Sequence, residues 1–252
     1  SLIGVRPTKM TRRFLNMGFP KDRVKKLLKN MYLATDEKIE LLMQVIETEE
    51  QLLNKERMNM YIGIPFCPSK CRYCSFASYE IGSALGKFYK GFVETLLEEI
   101  KLVGELSREK DFKYESLYIG GGTPSTLTVE DTERVLKAIH KNIDLSNLKE
   151  FTFEAGREDA ITREKLEVLK KYGVDRVSLN PQTFKEKTLK DLNRIFNREH
   201  FDEIYKDIKE LGFILNMDII LGLPGESIED IFNTLFELKT YNIETLTVHA
   251  LA

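Results

Sequence analysis

The first 57 residues carry apolar side chains at the spacing of amphipathic helices. Apolar residues recur at positions i, i+3, i+4 and i+7 in two runs, which are Val24, Leu27, Leu28 and Met31, and then Ile39, Leu42, Met43 and Ile46. This spacing places each run on one face of a helix, because side chains three and four positions apart lie one above the other. We therefore predict that residues 1–57 form a helical N-terminal segment with a buried apolar stripe.

From residue 58 onward, short β-rich runs alternate with amphipathic stretches. The candidate strands are residues 59–64, 116–119, 150–154, 176–179, 213–221 and 245–249. The candidate helices are residues 84–106, 129–141, 162–171, 201–211 and 228–238. Strands that alternate with helices pair in parallel through right-handed crossovers. The pattern therefore predicts an α/β core over residues 58–252, in which six β/α steps form a partial barrel.

The composition is that of a soluble chain with one sizeable core. Of the 252 residues, 42% are hydrophobic and 31% are charged, which provides both a buried interior and a solvated surface. No apolar stretch approaches about 18 residues, the length that a membrane span needs, and no segment resembles a signal peptide. We therefore predict a cytoplasmic protein without a membrane partner.

Charge is distributed unevenly along the chain. The formal net charge is −2, but residues 1–30 carry nine Lys or Arg residues and one Asp. A basic segment of this kind can bind RNA or the carboxylates of a porphyrinogen, although basic residues on helices more often form a solvated face. Because the rest of the chain has no basic stripe, we do not predict a nucleic-acid partner.

All three cysteines, Cys67, Cys71 and Cys74, fall within eight residues. Such a concentration indicates a metal centre rather than scattered core cysteines. Structural zinc requires a complete tetrahedral set of ligands, and no histidine lies nearer in the sequence than His140, so zinc is the second choice. A disulfide framework needs an even count and is the last choice. A [4Fe–4S] cluster fits best, because three thiolates leave one iron open to a ligand from outside the protein.

Polar residues and glycines cluster where the predicted strands end, which is where parallel α/β sheets bind ligands. A glycine-rich run, residues 120–125, follows the second strand, but it has neither the dinucleotide-binding nor the P-loop spacing. Glu154 ends the third strand, where either a rim salt bridge or a ligand would account for a carboxylate. Asp218 lies in the apolar fifth strand and therefore needs hydrogen-bond donors.

Six short motifs accompany the spacing Cys-x3-Cys-x2-Cys. They are residues 4–9 (GVRPTK), 64–68 (IPFCP), 73–76 (YCSF), 154–157 (EAGR), 180–184 (NPQTF) and 248–252 (VHALA). Together they resemble the radical S-adenosylmethionine (SAM) superfamily, in particular the HemZ type of its HemN-like branch. That branch includes the oxygen-independent coproporphyrinogen III oxidases and the HemW haem chaperones. The resemblance spans nearly the whole chain and implies a curved (β/α)6 partial barrel.

The resemblance also implies two cofactors, a [4Fe–4S] cluster and SAM. Cys67, Cys71 and Cys74 would hold the cluster, and its open iron would bind SAM. Tyr61 and Tyr73 would flank the cluster and the adenine, and Tyr61 joins the cysteines as a predicted catalytic residue. The other SAM contacts implied are Gly121, Gly122 and Thr123 for the amino group, Glu154 and Gln182 for polar groups, Gln182 and Asp218 for the ribose, Arg194 for the carboxylate, and Ile220 and Ala250 for the adenine.

The HemN-like branch implies oxygen-independent oxidative decarboxylation of coproporphyrinogen III in haem biosynthesis. A 5′-deoxyadenosyl radical would take a hydrogen from a propionate side chain, and loss of carbon dioxide and one electron would leave a vinyl group. Two such events would give protoporphyrinogen IX, and an external carrier such as flavodoxin or ferredoxin would supply electrons. The alternatives are a HemW-like haem-binding chaperone and a radical SAM enzyme that acts on another substrate.

Two positions depart from the HemN pattern. Phe76 stands where HemN has a further Cys, and Gly63 stands where it has a His. Both differences affect HemN-specific chemistry and leave cluster and SAM binding intact. HemN-like proteins also continue beyond the sixth strand into a C-terminal domain, so we expect the chain to be a fragment that lacks this domain.

Overall fold

The structure, a computed structural model, describes residues 7–52 and 57–251. Residues 4–6 of the first motif and residue 252 of the last motif lie outside the described residues. Two compact units lie within residues 1–56 and 57–252. The first is helical where it is described, and the second combines helices with parallel strands.

The described part of the N-terminal unit consists of three helices, which are α1 (Pro7–Asn16), α2 (Lys21–Tyr32) and α3 (Asp36–Leu52). Val24, Leu28, Ile39 and Met43 form its buried core, as the predicted apolar stripe requires. Met31 is the exception, because 66% of it is exposed. It lies in the last turn of α2, where the helix ends before Leu33, which adopts a left-handed conformation.

Basic side chains of α1 and α2 pair with acidic side chains of α3. The pairs are Arg12–Glu49, Lys21–Glu47 (2.6 Å), Lys25–Glu40 (2.6 Å) and Lys29–Asp36 (2.7 Å). Such exposed pairs contribute little stability, because water and salt screen them. They do neutralise part of the basic charge of residues 1–30, which favours a solvated helical face over an anion-binding surface.

The second unit contains a parallel six-stranded sheet. In both spatial and chain order its strands are β1 (Met58–Ile64), β4 (Tyr114–Gly121), β5 (Glu150–Gly156), β6 (Arg176–Leu179), β7 (Ile214–Leu221) and β8 (Thr245–Ala250). The short strands β2 (Phe66–Cys67) and β3 (Tyr79–Glu80) form a separate two-stranded sheet. The curled six-stranded sheet confirms the predicted partial (β/α)6 barrel.

Helices connect the strands and pack against the sheet. They are α4 (Tyr89–Glu109), α5 (Val129–Asn142), α6 (Arg163–Lys171), α7 (Glu186–Asp191), α8 (Arg198–Glu210) and α9 (Ile228–Leu238). The helix predicted from residue 84 begins instead as a 3-10 turn, Ala84–Phe88, which Ser83 caps. The periodicity does not predict α7, because a helix of six residues is too short to show an apolar repeat.

Side chains alternate along the strands between an apolar face and a polar face. On β5, Phe151 and Phe153 are buried in the core, whereas Thr152 and Glu154 line a cavity on the other side of the sheet. Successive side chains of a strand point to opposite faces. The alternation therefore places the polar set inside the curve of the sheet and the apolar set against the helices.

Helix α4 contains two glycines, one at its contact with α5 and one in open space. A Cβ atom on Gly104 would lie 2.5 Å from the backbone oxygen of Asn142, whereas Gly91 has open space around it. We expect Gly104→Ala to lower the free energy of unfolding by about 1–3 kcal/mol, because backbone must shift to make room. Gly91→Ala should raise it by about 0.5–1 kcal/mol, since alanine loses less backbone entropy in a helix. Urea unfolding measures both, and equal effects would contradict the close α4–α5 packing.

Candidate functional site

A cavity of about 1230 Å³ opens on the concave face of the sheet. Its lining brings together every residue predicted to belong to the site. These residues are Tyr61, Cys67, Cys71, Tyr73, Cys74, Gly121, Gly122, Thr123, Glu154, Gln182, Arg194, Asp218, Ile220 and Ala250. The predicted roles require these residues to lie close together, and they do. The role of each residue stays a prediction.

The cysteine loop, residues 65–78, is held against the glycine run by backbone hydrogen bonds. Gly122 N–H donates to the Ile64 carbonyl at 2.8 Å, and Thr123 N–H donates to the Phe66 carbonyl at 2.8 Å. Cys67 is buried, as is Cys71, while Cys74 is half-buried. The thiols are therefore fixed beside the strand ends rather than displayed on a free surface loop.

A second set of hydrogen bonds holds the same loop to the segment after α7. Arg72 N–H donates to the Leu192 carbonyl at 3.0 Å, and the Asn193 amide donates to the Lys70 carbonyl at 3.0 Å. Ser69 Oγ donates to the Asn193 carbonyl at 3.3 Å, across 124 positions of sequence. The sequence interpretation missed this anchor, because no local pattern pairs residues so far apart.

The cysteines do not form a site for a single metal ion. Within residues 7–52 and 57–251, no group of three or more His, Cys, Asp or Glu side chains is arranged to hold one ion. His140 lies away from the cavity on α5, where its Nε2 atom is 2.9 Å from the Tyr172 carbonyl. The zinc alternative therefore lacks a ligand set, whereas an iron–sulfur cluster bridges thiols that do not converge on one ion.

The glycines of the run allow two parts of the chain to pack closely. A Cβ atom on Gly121 would lie 2.8 Å from the Ile64 carbonyl oxygen, and one on Gly122 would lie 2.9 Å from Cys67 Sγ. Gly121 also has a φ of +117°, which other residues rarely adopt. The sequence predicts these glycines only as contacts of the ligand. In the structure they also let the cysteine loop lie against β4.

Polar side chains contact two of the thiols. Thr123 Oγ1 donates to Cys67 Sγ at 3.3 Å, and Arg157 Nη1 lies 3.7 Å from Cys71 Sγ. Sequence reasoning placed Thr123 in the site but gave Arg157 no role. The only signal was its position in the motif of residues 154–157, directly after the strand that carries Glu154.

Two carboxylates, Glu154 and Asp218, lie close together in the cavity. Burial and the charge of Asp218 raise the pKa of Glu154 to about 7, while hydrogen bonds from Gly121 N–H and the Tyr118 hydroxyl oppose the rise. Among the described residues neither carboxylate has a Lys or Arg partner; His249 Nε2 lies 3.6 Å from Asp218 Oδ2. The rim salt bridge considered for Glu154 is therefore not found, and the pair favours a cationic ligand.

Asp218 obtains hydrogen-bond donors from the chain itself. Asn180 Nδ2 donates to Asp218 Oδ2 at 3.0 Å, and Asn216 Nδ2 donates to Asp218 Oδ1 at 2.7 Å. The sequence interpretation expected ribose hydroxyls as donors and missed both asparagines. Each carboxylate oxygen has a second lone pair, so these bonds orient Asp218 and leave it able to accept from a ligand.

Arg194 and Gln182 hold polar atoms that lack partners. Arg194 is 5% exposed, so it is not the ordinary surface arginine that the sequence also allowed, and its Nη2 atom donates to the Asn180 carbonyl. Among the described residues, the Arg194 Nε atom and the Gln182 Oε1 atom are buried without a hydrogen-bond partner. Unsatisfied buried groups are costly, so both atoms fit a site that a ligand completes.

Tyr61 stacks on Tyr118 across the β1–β4 pair. Their ring centroids are 5.8 Å apart and their planes differ by 11°, and the two residues are direct partners in the parallel register. Sequence reasoning found Tyr61 and missed Tyr118. The available signal was its position between Leu117 and Ile119 on the second predicted strand, because side chains of a strand alternate between the two faces.

The residues predicted for the adenine differ in their surroundings. Ile220 and Tyr73 pack together with Leu192 and Leu223 in a small apolar cluster. Burial raises the pKa of Tyr73 to about 12, although the positive charge of Arg194 opposes the rise. Ala250 is exposed at the end of β8, so it borders the cavity without belonging to that cluster.

Parallel strand ends that carry a three-cysteine loop, a glycine run and paired carboxylates define a barrel of the cofactor-binding α/β class. The Radical SAM superfamily model matches residues 61–238. The chain therefore belongs to the radical SAM superfamily, as the motifs predicted. The predicted [4Fe–4S] cluster and SAM are the cofactors of this superfamily.

Individual relatives refine this membership. The chain is 39% identical to the oxygen-independent coproporphyrinogen-III oxidase-like protein HemZ of Bacillus subtilis (strain 168), over 100% of this chain and 51% of that protein. It is 34% identical to the heme chaperone HemW of Buchnera aphidicola subsp. Schizaphis graminum, over 73% of this chain and 48% of that protein. The coproporphyrinogen III oxidase HemN of Escherichia coli has a similar structure, with a TM-score of 0.69, 25% identity, and coverage of 78% of this chain and 44% of that chain.

The chain spans about half the length of the curated relatives that it matches. In the described ranges, 7–52 and 57–251, none of the helices combines the length and the apolar character that a membrane crossing requires.

The residues present fit a cluster and SAM. Three thiols line one cavity without forming a single-ion site, which suits a cluster. The carboxylate of Glu154 suits the polar groups of SAM, that of Asp218 suits its ribose hydroxyls, and the guanidinium of Arg194 suits its carboxylate. The unpaired Arg194 Nε and Gln182 Oε1 atoms supply one donor and one acceptor for the same ligand.

Gly122 offers a test of the packing between the glycine run and the cysteine loop. An added methyl group would meet the Phe66 carbonyl oxygen at 2.8 Å and Cys67 Sγ at 2.9 Å. We expect Gly122→Ala to displace Cys67 and weaken iron binding by on the order of 10-fold or more. Gly82→Ala is the matched control, because its Cβ atom would meet only the flexible end of Glu80 at 4.0 Å. Iron and sulfide analysis after anaerobic reconstitution measures both, and full iron content in Gly122→Ala would contradict the packing argument.

The raised pKa of Glu154 predicts how stability depends on pH. In the folded protein the Glu154 carboxyl group keeps its proton up to about pH 7, whereas in an unfolded chain a glutamate loses its proton near about pH 4.3. The contribution of Glu154 to stability is therefore complete below the lower value and is lost as pH rises through the upper one. We expect wild type to lose about 2–3 kcal/mol of unfolding free energy relative to Glu154→Gln between about pH 5 and about pH 8.

Urea unfolding of the protein without cofactors at a series of pH values measures this difference. In an Asp218→Asn background the pH range over which this stability is lost should end at a lower pH. The reason is that the negative charge that helps raise the pKa of Glu154 is gone. Parallel pH profiles for wild type and Glu154→Gln would show that Glu154 ionises normally in the folded protein.

Proposed function

We propose that the cavity binds a [4Fe–4S] cluster through Cys67, Cys71 and Cys74 and binds SAM beside it. When bound, the reduced cluster and SAM supply a 5′-deoxyadenosyl radical for hydrogen abstraction. The observation that carries this proposal is the meeting of all predicted cysteine and SAM residues in one cavity lining. Membership of the radical SAM superfamily supports it.

The chain's own residues divide the work of holding SAM. Glu154 faces polar groups of the ligand, Asp218 accepts from its ribose hydroxyls, and Arg194 faces its carboxylate. Gln182 accepts from the ligand through its unpaired Oε1 atom. Tyr73 and Ile220, in their apolar cluster, provide a surface for the adenine. Together these contacts fix the orientation of the nucleoside, which is how a protein directs a reactive cofactor.

We further propose that the substrate is a tetrapyrrole with propionate side chains. In the oxidase reaction a hydrogen atom leaves the propionate carbon next to the ring, carbon dioxide departs, one electron passes to an acceptor outside this chain, and a vinyl group remains. Similarity to HemZ and to the HemN structure supports this substrate class. Two such events on coproporphyrinogen III give protoporphyrinogen IX, which makes the protein an oxidoreductase of haem biosynthesis.

A second candidate is a haem-binding chaperone. It is favoured by the similarity to HemW, which is named a heme chaperone. In that case the same barrel would hold haem rather than decarboxylate a porphyrinogen. Phe76 and Gly63, where the HemN pattern has Cys and His, both line the cavity.

The remaining assignments complete the proposal. Residues 1–57 serve as an N-terminal helical segment and residues 58–252 as the radical SAM core. The protein works in the cytoplasm, and an external one-electron carrier such as flavodoxin or ferredoxin reduces the cluster. No role for nucleic acid is proposed.

Anaerobic reconstitution followed by product analysis tests the proposed function. We expect about four irons per chain, a change in the electron paramagnetic resonance (EPR) spectrum on SAM addition, and release of 5′-deoxyadenosine with dithionite. Cys67→Ser should abolish release, whereas Ser146→Ala, at an exposed residue outside the cavity lining, should not. Conversion of coproporphyrinogen III to protoporphyrinogen IX identifies the oxidase.

Each proposal has its own contrary result. Stoichiometric haem binding with no porphyrinogen turnover would replace the oxidase by the chaperone. Release of 5′-deoxyadenosine with neither haem binding nor porphyrinogen turnover would indicate another substrate. A fully assembled cluster whose EPR spectrum does not respond to SAM, together with no reductive cleavage of SAM, would overturn the proposal that the cavity binds SAM beside the cluster.

A further inference from the structure

Arg157 is a buried cation at the edge of the cysteine loop. It follows β5 directly after Gly156, whose φ of +69° turns the chain back toward the cavity, and the turn is closed by Arg157 N–H donating to the Ala155 carbonyl at 2.7 Å. Only 3% of Arg157 is exposed. A full charge in such a place is costly unless it is paired and hydrogen-bonded.

Asp159 holds the guanidinium of Arg157 in one orientation. Arg157 Nε donates to Asp159 Oδ1 at 2.8 Å, and Arg157 Nη2 donates to Asp159 Oδ2 at 2.5 Å. This two-point fork fixes the guanidinium plane. It leaves Nη1 free to point away from the carboxylate, toward the cysteine loop.

The third guanidinium nitrogen, Arg157 Nη1, contacts the cysteine loop. Arg157 Nη1 donates to the Ser69 carbonyl at 3.1 Å and lies 3.7 Å from Cys71 Sγ. Among the described residues this is the guanidinium that contacts a thiol, whereas Cys67 receives a neutral hydroxyl from Thr123. The guanidinium of arginine is not deprotonated in proteins, so Arg157 is a cation, and Asp159 is its ion-pair partner.

A cation beside one thiolate matters for a redox centre. The reduction potential of an iron–sulfur cluster depends on nearby charge and on hydrogen bonds to its sulfurs. Reduction adds an electron to the cluster, so a positive charge near a ligand sulfur stabilises the reduced state more than the oxidised state. The carboxylate of Asp159 lies on the far side of the guanidinium and therefore offsets this effect only in part.

We propose that Arg157 is a positioning residue that raises the reduction potential of the cluster through Cys71, and that Asp159 both orients it and limits its effect. This rests on the proposed cluster site. The competing role is mechanical, in which Arg157 only anchors the loop through the Ser69 carbonyl. The two roles predict different results, because an electrostatic effect changes sign with the charge that is removed and a mechanical one does not.

Three variants of the reconstituted protein separate these roles. Arg157→Gln leaves Asp159 uncompensated and should shift the cluster midpoint potential to a more negative value. Asp159→Asn keeps a hydrogen-bond acceptor but leaves the cation uncompensated, and should shift the potential to a less negative value. The double variant should titrate between the two single variants. The measurement is a redox titration followed by the EPR signal of the reduced cluster, with iron content as a check on assembly.

Arg163→Gln is the matched control, since it removes an arginine that pairs with Asp207 and Glu210 on the exposed surface. Its midpoint potential should equal that of wild type. Shifts of the same sign in both single variants, or unchanged potentials with full iron content, would overturn the inference. Loss of the cluster in all three variants would also overturn it, because the pair would then be a mechanical anchor. Absence of a cluster in wild type would instead defeat the proposed function.

Discussion

The close approach of the glycine run to the chain that leaves β1 is the contact on which the site depends. Gly122 N–H and Thr123 N–H donate to carbonyls on either side of Pro65, and the missing side chain of Gly122 leaves room for Cys67 Sγ. Neighbouring parallel strands place these two segments at the same edge of the sheet. The cysteine loop is thereby fixed at the strand ends, where the polar side chains of the other strands also converge.

Charge inside the cavity is separated into two regions. Glu154 and Asp218 form an anionic region on the strands, while the guanidinium of Arg194 lies beside Tyr73 of the cysteine loop. Water that could screen these charges is limited by burial, so each region acts strongly on a bound ligand. A ligand with both an ammonium and a carboxylate can satisfy both regions at once, which gives it one orientation.

Charged side chains are stabilised differently in the N-terminal unit and in the barrel. In the helical unit, exposed basic side chains meet the acidic face of α3, and their interaction is screened. In the barrel, buried charges are held by specific hydrogen bonds, as in the Asn180–Asp218 pair. The first arrangement leaves little net charge for an anionic partner, whereas the second orients side chains for binding.

The sequence by itself determined the order of strands and helices, the α/β class and the cysteine loop, because apolar periodicity and residue spacing are local properties. It also identified which strand ends carry polar residues. Only the tertiary structure decided that Arg157 reaches Cys71, that Asn193 anchors the loop across 124 positions, and that Asn180 and Asn216 orient Asp218. These contacts join residues whose separation in the chain has no periodic signature, so they exist only once the sheet curls and brings its strand ends together.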